Sequence, residues 1–329
     1  MSKSRLISLF FSFMGFTLFI WLFIREDLTG IFAILSIVKW KFFWIASYRI
    51  IPITIDAFGW LKLFEKDIIP RFSNLVSARW ICEAFNTLLP VAQIGGHFLR
   101  AKLIGKNIVD KAKAGATVVV DFTIGLVTQI LFTIGGLILL IQESQEEDIY
   151  SWIIIGIIAG LVAVSGFILA QRTGLFSIGA KGVNLLLRSR KIMGLIESSR
   201  NLDQQISDSY SRKDRLVSCG LWRLAGWIAK SGEIWLFLYF AGSPVTIQEA
   251  MILESLSTAF RSVAFAIPGG LGVQDGGILL IGIMIGLSPE KALALALVKR
   301  FREIVVGVPG LIYWFIVDGH QATPQLTGK

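Results

Sequence analysis

The residues of this chain that could do chemistry are charged side chains set inside long apolar runs. Lys299, Arg300, Arg302 and Glu303 lie near the middle of the apolar stretch Lys291–Val317. In a helix Lys299 and Glu303 share a face at i,i+4, and Arg300 and Glu303 at i,i+3. One carboxylate against three cations leaves a local positive excess. That excess predicts an anion-binding role, since a purely structural ion-pair network would sit closer to neutral. Arg79 and Glu83, again at i,i+4, precede Asn86, Gln93 and Arg100. Glu254 and Arg261, two helical turns apart, precede Gln274 and Asp275. Asp121 lies a third of the way into another apolar run, and Glu233 accompanies Lys230 and Arg223 in a further one. An ionisable group at the centre of a bilayer costs on the order of a few kcal/mol, so such groups must face one another, water or a ligand. The bidentate guanidinium of Arg79, Arg261 or Arg302 suits a phosphate. The competing reading, open above all for Glu83, Asp121 and Glu233, is that each acid neutralises a neighbouring cation and holds helices in register.

Other chemistries are excluded by what the chain lacks. There is no Gly-x-Ser-x-Gly, no Walker sequence, no His-Glu-x-x-His and no Asp pair placed for a divalent metal. His97 and His320 are the only histidines, which argues against a histidine metal site or a catalytic triad. His97 could sense pH or touch a headgroup; the alternative is a neutral, packed imidazole. Cys82 and Cys219 are far apart in apolar surroundings and read as small buried hydrophobes. No enzyme activity, cofactor or metal is predicted.

The elements that must position these charges are two broken helices. In AFRSVAFAIPGGLGVQDGG (Ala259–Gly277) an apolar helix carrying Glu254 and Arg261 breaks at Pro268, Gly269, Gly270 and Gly272, and a second apolar run leaves after Gly276 and Gly277. A weaker counterpart, RWICEAFNTLLPVAQIGGHFLR (Arg79–Arg100), breaks at Pro90, Gly95 and Gly96. With apolar sequence on both sides, each break is expected at membrane depth, where irregular backbone survives only if buried in protein or lining a wet cavity. Broken helices of this kind build substrate sites in transporters. The chain between the hairpins and after them echoes faintly: Leu103-Ile104-Gly105 leads to Lys111, and Met284-Ile285-Gly286 leads to Lys291. One hairpin entered from each side is what an inverted repeat requires.

Composition sets the frame. Of 329 residues 54% are hydrophobic and only 17% charged, with 24 Phe and 10 Trp. Soluble chains carry about a quarter charged residues, and several runs here exceed the ~20 apolar residues that span a bilayer. The expected fold class is an all-α polytopic integral membrane protein with transmembrane helices and two re-entrant hairpins. It forms one domain over residues 1–329, with hairpins at 72–108 and 247–287 and a basic cytoplasmic segment at 171–215. The net charge of +9 reads as topology signal and affinity for anionic headgroups, not as nucleic-acid binding.

Leu6–Ile24 behind Lys3 and Arg5 is a first span. The second, over residues 28–60, reads as a helix kinked at Pro52 and flanked by snorkelling Lys39, Lys41 and Arg49. Turning back at Leu89–Gly96 keeps the basic stretch Arg100–Lys113 inside, as the positive-inside bias demands. Ala114–Ile141, Tyr150–Ala170, Leu216–Phe240 and Lys291–Val317 complete the spans, and both termini are placed in the cytoplasm. Glu143, Glu146, Glu147 and Asp148 form an outer loop. In the basic segment Ile192, Leu195, Ile196, Leu202, Ile206 and Tyr210 recur at helical spacing, either as an amphipathic helix on the membrane surface or as a solvated bridge.

Four blocks in order, LPVAQIGGHFLRAKLIG (Leu89–Gly105), VVVDFTIGLVTQ (Val118–Gln129), FAIPGGLGVQDGG (Phe265–Gly277) and KRFREIVVGVPGLIYW (Lys299–Trp314), resemble the flippase-like membrane proteins related to the transmembrane region of lysylphosphatidylglycerol synthases. The likeness is nearest the branch found beside hopanoid-biosynthesis genes and covers essentially the whole chain. It implies an all-helical bacterial inner-membrane protein that moves a polar or anionic lipid between leaflets through a cavity between its hairpins. The charged residues of the matching blocks would serve that passage. His97 and Asp275 depart from the expected pattern, an acidic residue and a glutamate, and the cationic second span is unusual. The synthase's aminoacyl transfer belongs to a separate soluble domain and does not carry over. The implied partners are membrane lipids (anionic phospholipid, hopanoid or isoprenoid-linked lipid), lipid-biosynthesis enzymes and a second copy of the chain. The alternatives are a non-catalytic membrane scaffold for lipid-modifying enzymes acting through residues 171–215, and a membrane-embedded lipid-modifying enzyme.

Overall fold

The structure, a computed structural model, describes residues 3–89, 95–105, 108, 110–143, 169, 171, 191–264 and 267–319. Every regular element among them is helical. In chain order these are α1 (Lys3–Ile24), α2 (Leu28–Val38), α3 (Phe42–Tyr48), α4 (Ile50–Leu61), α5 (Phe72–Leu88), α6 (Gly95–Gly105), α7 (Lys111–Glu143), α8 (Lys191–Ser211), α9 (Lys213–Phe240), α10 (Ile247–Val263), α11 (Val273–Met284) and α12 (Pro289–Gly319). Two stretches among the described residues are long and apolar enough to cross a bilayer, Leu28–Leu61 and Lys111–Gln142. The helices α9 and α12 form over expected spans but carry charge within their length. The expected span Tyr150–Ala170, apart from Leu169, the outer loop Glu146–Asp148 and the turn Pro90–Ile94 lie outside the described residues.

Local chemistry explains where helices start. The Asp27 carboxylate accepts the Thr29 N–H at 2.9 Å and caps α2. Asp110 accepts the N–H groups of Ala112 and Lys113 at the start of α7. Thr246 and Glu249 form a reciprocal capping box on α10, and Pro289 opens α12, where its missing N–H costs nothing.

The distribution of side chains is inverted relative to a water-soluble protein. Phe13, Phe32, Trp40 and Val263 are 64–81% exposed, whereas Arg100 and Asp121 are each 1% exposed. Exposed apolar area on this scale is unfavourable in water and favourable in lipid.

The interior has three layers. One apolar core gathers Ile234, Phe237 and Leu238 of α9, Ile252 and Leu253 of α10, Ile278 and Ile281 of α11, and Ala292–Ala296 of α12. The other gathers Trp60 of α4, Leu75 and Ile81 of α5, Ile104 of α6, Ala114–Val120 of α7 and Cys219 of α9. Between them, on α7, α9 and α12, lie Asp121, Lys230, Glu233, Lys299, Arg302 and Glu303, all buried. On these three helices the buried charge thus lies between two apolar cores.

The second span breaks at Lys39–Lys41, a 3-10 turn with Lys39 at φ 39°, and again at Arg49, where α3 ends and α4 begins; this second break is the one expected of Pro52, which has no N–H for the Tyr48 carbonyl four residues back. One expectation is corrected. Arg49, expected to snorkel, is instead buried among carboxylates, because α3 and α4 face α9 and α5 through it. In the basic segment, the C-terminal half of α8 is amphipathic, with Gln204, Ser207, Asp208 and Ser211 exposed on its polar face. Its Leu202, Ile206 and Tyr210 pack into the core formed with α7, and the Tyr210 hydroxyl donates to Gln171 at 2.6 Å.

Within each expected hairpin the two helices pack together, α5 with α6 and α10 with α11. Gly96 donates its N–H to Asn86 at 2.8 Å, and a Cβ there would run into the Cys82 carbonyl. Gly269, Gly270 and Gly272 adopt φ of 60°, 64° and 77°, the left-handed region that only glycine enters cheaply. The second hairpin's bend reaches the end of α5: the Thr87 carbonyl is 3.3 Å from where a Gly269 Cβ would stand. The two hairpins meet end to end.

Candidate functional site

Where the hairpins meet, nine cations and seven carboxylates from eight helical elements form five ion-paired groups. At their centre is a cavity of about 190 Å³ lined by Arg49, Asp56, Arg79, Cys82, Glu83, Asn86, Thr87, His97, Arg100, Arg223, Lys230 and Arg261, with Ile53. Six of those side chains are cationic and two are carboxylates.

The pairing shows where the positive excess sits. Arg49 and Arg302 share Glu83 and Glu233: Arg49 lies 2.7 Å from Glu83 and 3.6 Å from Glu233, Arg302 3.5 Å and 2.8 Å. Arg261 meets Glu303 at 2.6 Å, and Arg300 meets Glu303 and Asp275 at 2.9 Å each. Lys299 meets Glu254 at 2.5 Å. Each of these groups balances. Two groups do not. Arg79 and Arg100 share the single carboxylate of Asp121, at 2.5 Å and 2.8 Å. Arg223 and Lys230 share Asp56, at 2.9 Å and 3.4 Å. All four of those cations line the cavity.

The balance of the last helix therefore differs from expectation. Lys299, Arg300 and Arg302 are matched by Glu254, Asp275, Glu233 and Glu83 from other helices, so the excess read from α12 alone is cancelled in three dimensions. The predicted i,i+4 pairs Arg79–Glu83 and Lys299–Glu303 do not form; the i,i+3 pair Arg300–Glu303 does. Of the other predicted site residues, Gln274 accepts from Arg261 at 3.4 Å. Asp275 accepts the Gly272 N–H at 2.7 Å and anchors the second bend. Gln93 and Pro90 lie outside the described residues. His97 borders the cavity, its ring 4.6 Å from that of Phe122 and its Nδ1 3.8 Å from the Cys82 sulfur. It is packed, yet it faces the cavity.

Sequence reasoning missed Asp56 and Thr87 and misplaced Arg49. Asp56 carried a signal: one carboxylate in the apolar run Ile50–Leu61 needs a buried partner. Thr87 had none; its hydroxyl accepts from Arg261 at 3.2 Å, which ties the first hairpin to the second.

Each unbalanced group is shaped by a close approach. The Arg223 guanidinium presses on Gly125 of α7 and the Asp56 carboxylate on Gly226 of α9, where any side chain would collide. The Arg79 and Arg100 guanidiniums lie 5.6 Å and 4.4 Å from the centre of the Trp60 ring, and Lys230 lies 3.6 Å from that of Trp227. Aromatic faces thus supply part of the compensation that the missing carboxylates do not. The Nε atoms of Arg79, Arg100 and Arg223 and the carboxylate oxygens Oδ1 of Asp56 and Oδ2 of Asp121 are buried without a hydrogen-bond partner. The site has two surplus positive charges, a requirement of an anion site. Among the described residues no cluster of His, Cys, Asp or Glu is placed to hold a metal.

Beside the cavity lies an apolar groove of about 380 Å³, lined by Phe43, Ala46, Ser47, Ile50, Ile53, Val76, Trp80, Val305 and Val306.

The sequence model of one family, described as the lysylphosphatidylglycerol synthase TM region, matches residues 5–310. Comparison with curated proteins and with solved structures found no match.

Proposed function

The chain belongs to the lysylphosphatidylglycerol synthase TM-region family and is a membrane protein with a lipid-related function; from that premise we propose that it is a lipid translocase. A polar or anionic headgroup passes through the charged cavity while the acyl chains stay in lipid. The observation that carries this reading is that both two-cation, one-carboxylate groups face one cavity. A layer built only to hold helices together has no need to gather its surplus charge in one void.

The hairpins read as re-entrant. Arg300 donates to the carbonyl of Gly269 at 2.9 Å, and it lies about 16 Å along α12 from Pro289 at 1.5 Å per residue. That is about half of a ~30 Å hydrocarbon core, so the second bend falls near mid-membrane. The first hairpin, meeting it from the other side, completes an inverted arrangement. The likeness to the hopanoid-associated branch, a bacterial inner-membrane location and cytoplasmic termini belong to the same proposal, as do hopanoid, anionic phospholipid and isoprenoid-linked lipids as candidate cargo. No enzyme activity or cofactor is invoked: the cavity's eight charged side chains are committed to ion pairs, and the proposal assigns no chemistry to Cys82 and His97.

The test uses Arg100→Met and Lys230→Met together. Each leaves a balanced pair behind, Arg79–Asp121 and Arg223–Asp56, so the protein keeps its fold while the cavity loses two charges. Loss of leaflet translocation of anionic lipid in proteoliposomes supports the reading; wild-type rates from the double variant reject it.

A further inference from the structure

The apolar groove and the charged cavity are neighbours with a shared wall. Ile53 lines both. Between them is a narrow slot lined by Trp80, Glu83, Thr87, Arg302, Glu303 and Val306, among others. Trp80 and Val306 belong to the groove and the slot; Glu83 and Thr87 belong to the slot and the cavity. The polarity changes across a single side chain, since the groove's only side-chain hydroxyl is that of Ser47. At its mouth Phe43 and Ile50 are 65% and 62% exposed on the lipid-facing surface.

Local sequence explains why the groove exists. Pro309 sits inside α12 and has no N–H for the carbonyl four residues back, Val305, so the helix cannot close its ladder there. One residue on, the Val306 carbonyl accepts the Trp80 indole N–H at 2.8 Å. Trp80 stacks on Tyr313 at 5.9 Å between ring centres. Gly307 and Gly310 let α12 approach Leu88 and Ala84 of α5 closely on the far side of the slot. The indole is therefore pinned as a partition: its ring faces the groove and its N–H is spent on α12.

We propose that this groove is a hydrocarbon-chain subsite, seating one chain of the lipid whose headgroup occupies the cavity, with Trp80 as the wall between them. The inference rests on the translocase reading. The occupant is identified by continuity and chemistry: a ligand reaching from an apolar groove open to lipid into a cationic cavity is an amphiphile with an anionic head. A peptide helix or a second copy of the chain would cover the mouth but would leave the inner wall at Ile53, 7% exposed, untouched.

The experiment places the full chain in vesicles containing phosphatidylglycerol with a diazirine at mid-chain, then maps the photo-adducts. Adducts at Ile53 and Val76 are expected, above those on the open surface at Phe13 and Ile312. Ser47→Trp and Val76→Trp, which fill the groove from its two sides, should each lower the Ile53 adduct more than about tenfold, since several buried methylenes lose their seat. Both should slow translocation, and both should leave binding of soluble glycerol phosphate to the cavity unchanged. Translocation by the wild type with adducts spread evenly over exposed residues would overturn the groove and spare the translocase. Adducts at Ile53 from a wild type that moves no lipid would keep the groove and overturn the translocase. Wild-type transport rates from both filled variants would remove the groove from the path.

Discussion

Asp121 offers the sharpest perturbation, because one carboxylate serves two cations. It is 1% exposed and stands 2.5 Å from Arg79 and 2.8 Å from Arg100. Asp121→Asn keeps the shape and removes the charge, leaving two buried guanidiniums uncompensated. Breaking a buried pair from one side costs about 3–5 kcal/mol, and here two partners are stranded, so the loss should reach the top of that range. Arg100→Met is the opposite case. It deletes the surplus cation, leaves Arg79 and Asp121 balanced, and should cost less than about 2 kcal/mol, mainly the packing against Trp60. The triple variant Arg79→Met, Arg100→Met, Asp121→Leu should recover most of the loss, since apolar replacement of a whole buried ion group is often neutral. Unfolding in mixed detergent micelles at rising SDS measures all three. A cost for Asp121→Asn no larger than that of Arg100→Met would refute the shared-carboxylate account. So would a triple variant less stable than Asp121→Asn.

Further outcomes follow from other contacts. Gly270→Ala places a Cβ 2.9 Å from the Arg261 Cγ at a φ of 64°; it should cost about 1–3 kcal/mol and slow transport by displacing Arg261, seen by the same titration and a vesicle assay. Thr87→Val removes the acceptor of one Arg261 bond between the hairpins and should cost about 1 kcal/mol while leaving cavity charge and anion binding intact. Outside the membrane layer, hydrogen bonds from Lys113 and then Arg212 hold the Glu65 carboxyl below its usual value of 4.5. A lowered carboxyl contributes stability above its unfolded value and loses it as pH falls through the folded one. Wild type should therefore lose about 0.2–1 kcal/mol relative to Glu65→Gln as pH drops below 4.5, with the difference shrinking in high salt.

Much of this architecture was legible in the residues. The glycines at 96, 269, 270 and 272 mark places where backbone must turn or approach another chain segment, and they do so: Gly96 abuts α5, and Gly269, Gly270 and Gly272 turn the chain between α10 and α11. Charges within apolar runs had to be buried together, and they are. What a linear reading could not supply is the partner list. Lys299, Arg300 and Arg302 look uncompensated along α12 because their carboxylates come from α5, α9, α10 and α11, residues far away in sequence. Helical spacing suggested Arg79–Glu83, yet Asp121 and Arg49 compete for those side chains and win, because helix packing aims them across the layer. Arg49 was read as reaching for the interface since its nearest neighbours in sequence are apolar; its acids lie on α5 and α9. Asp56 stood in plain view and became meaningful only opposite Arg223 and Lys230.

The claim that matters most is that surplus positive charge in one cavity selects and carries a headgroup. The direct measurement is leaflet translocation by the wild-type protein of lipids with identical chains and anionic, zwitterionic or neutral headgroups, with the empty vesicle as reference. Transport that favours the anionic headgroup and falls as salt rises is the predicted result. Equal rates for all three headgroups, or no rate above the empty vesicle, would contradict it.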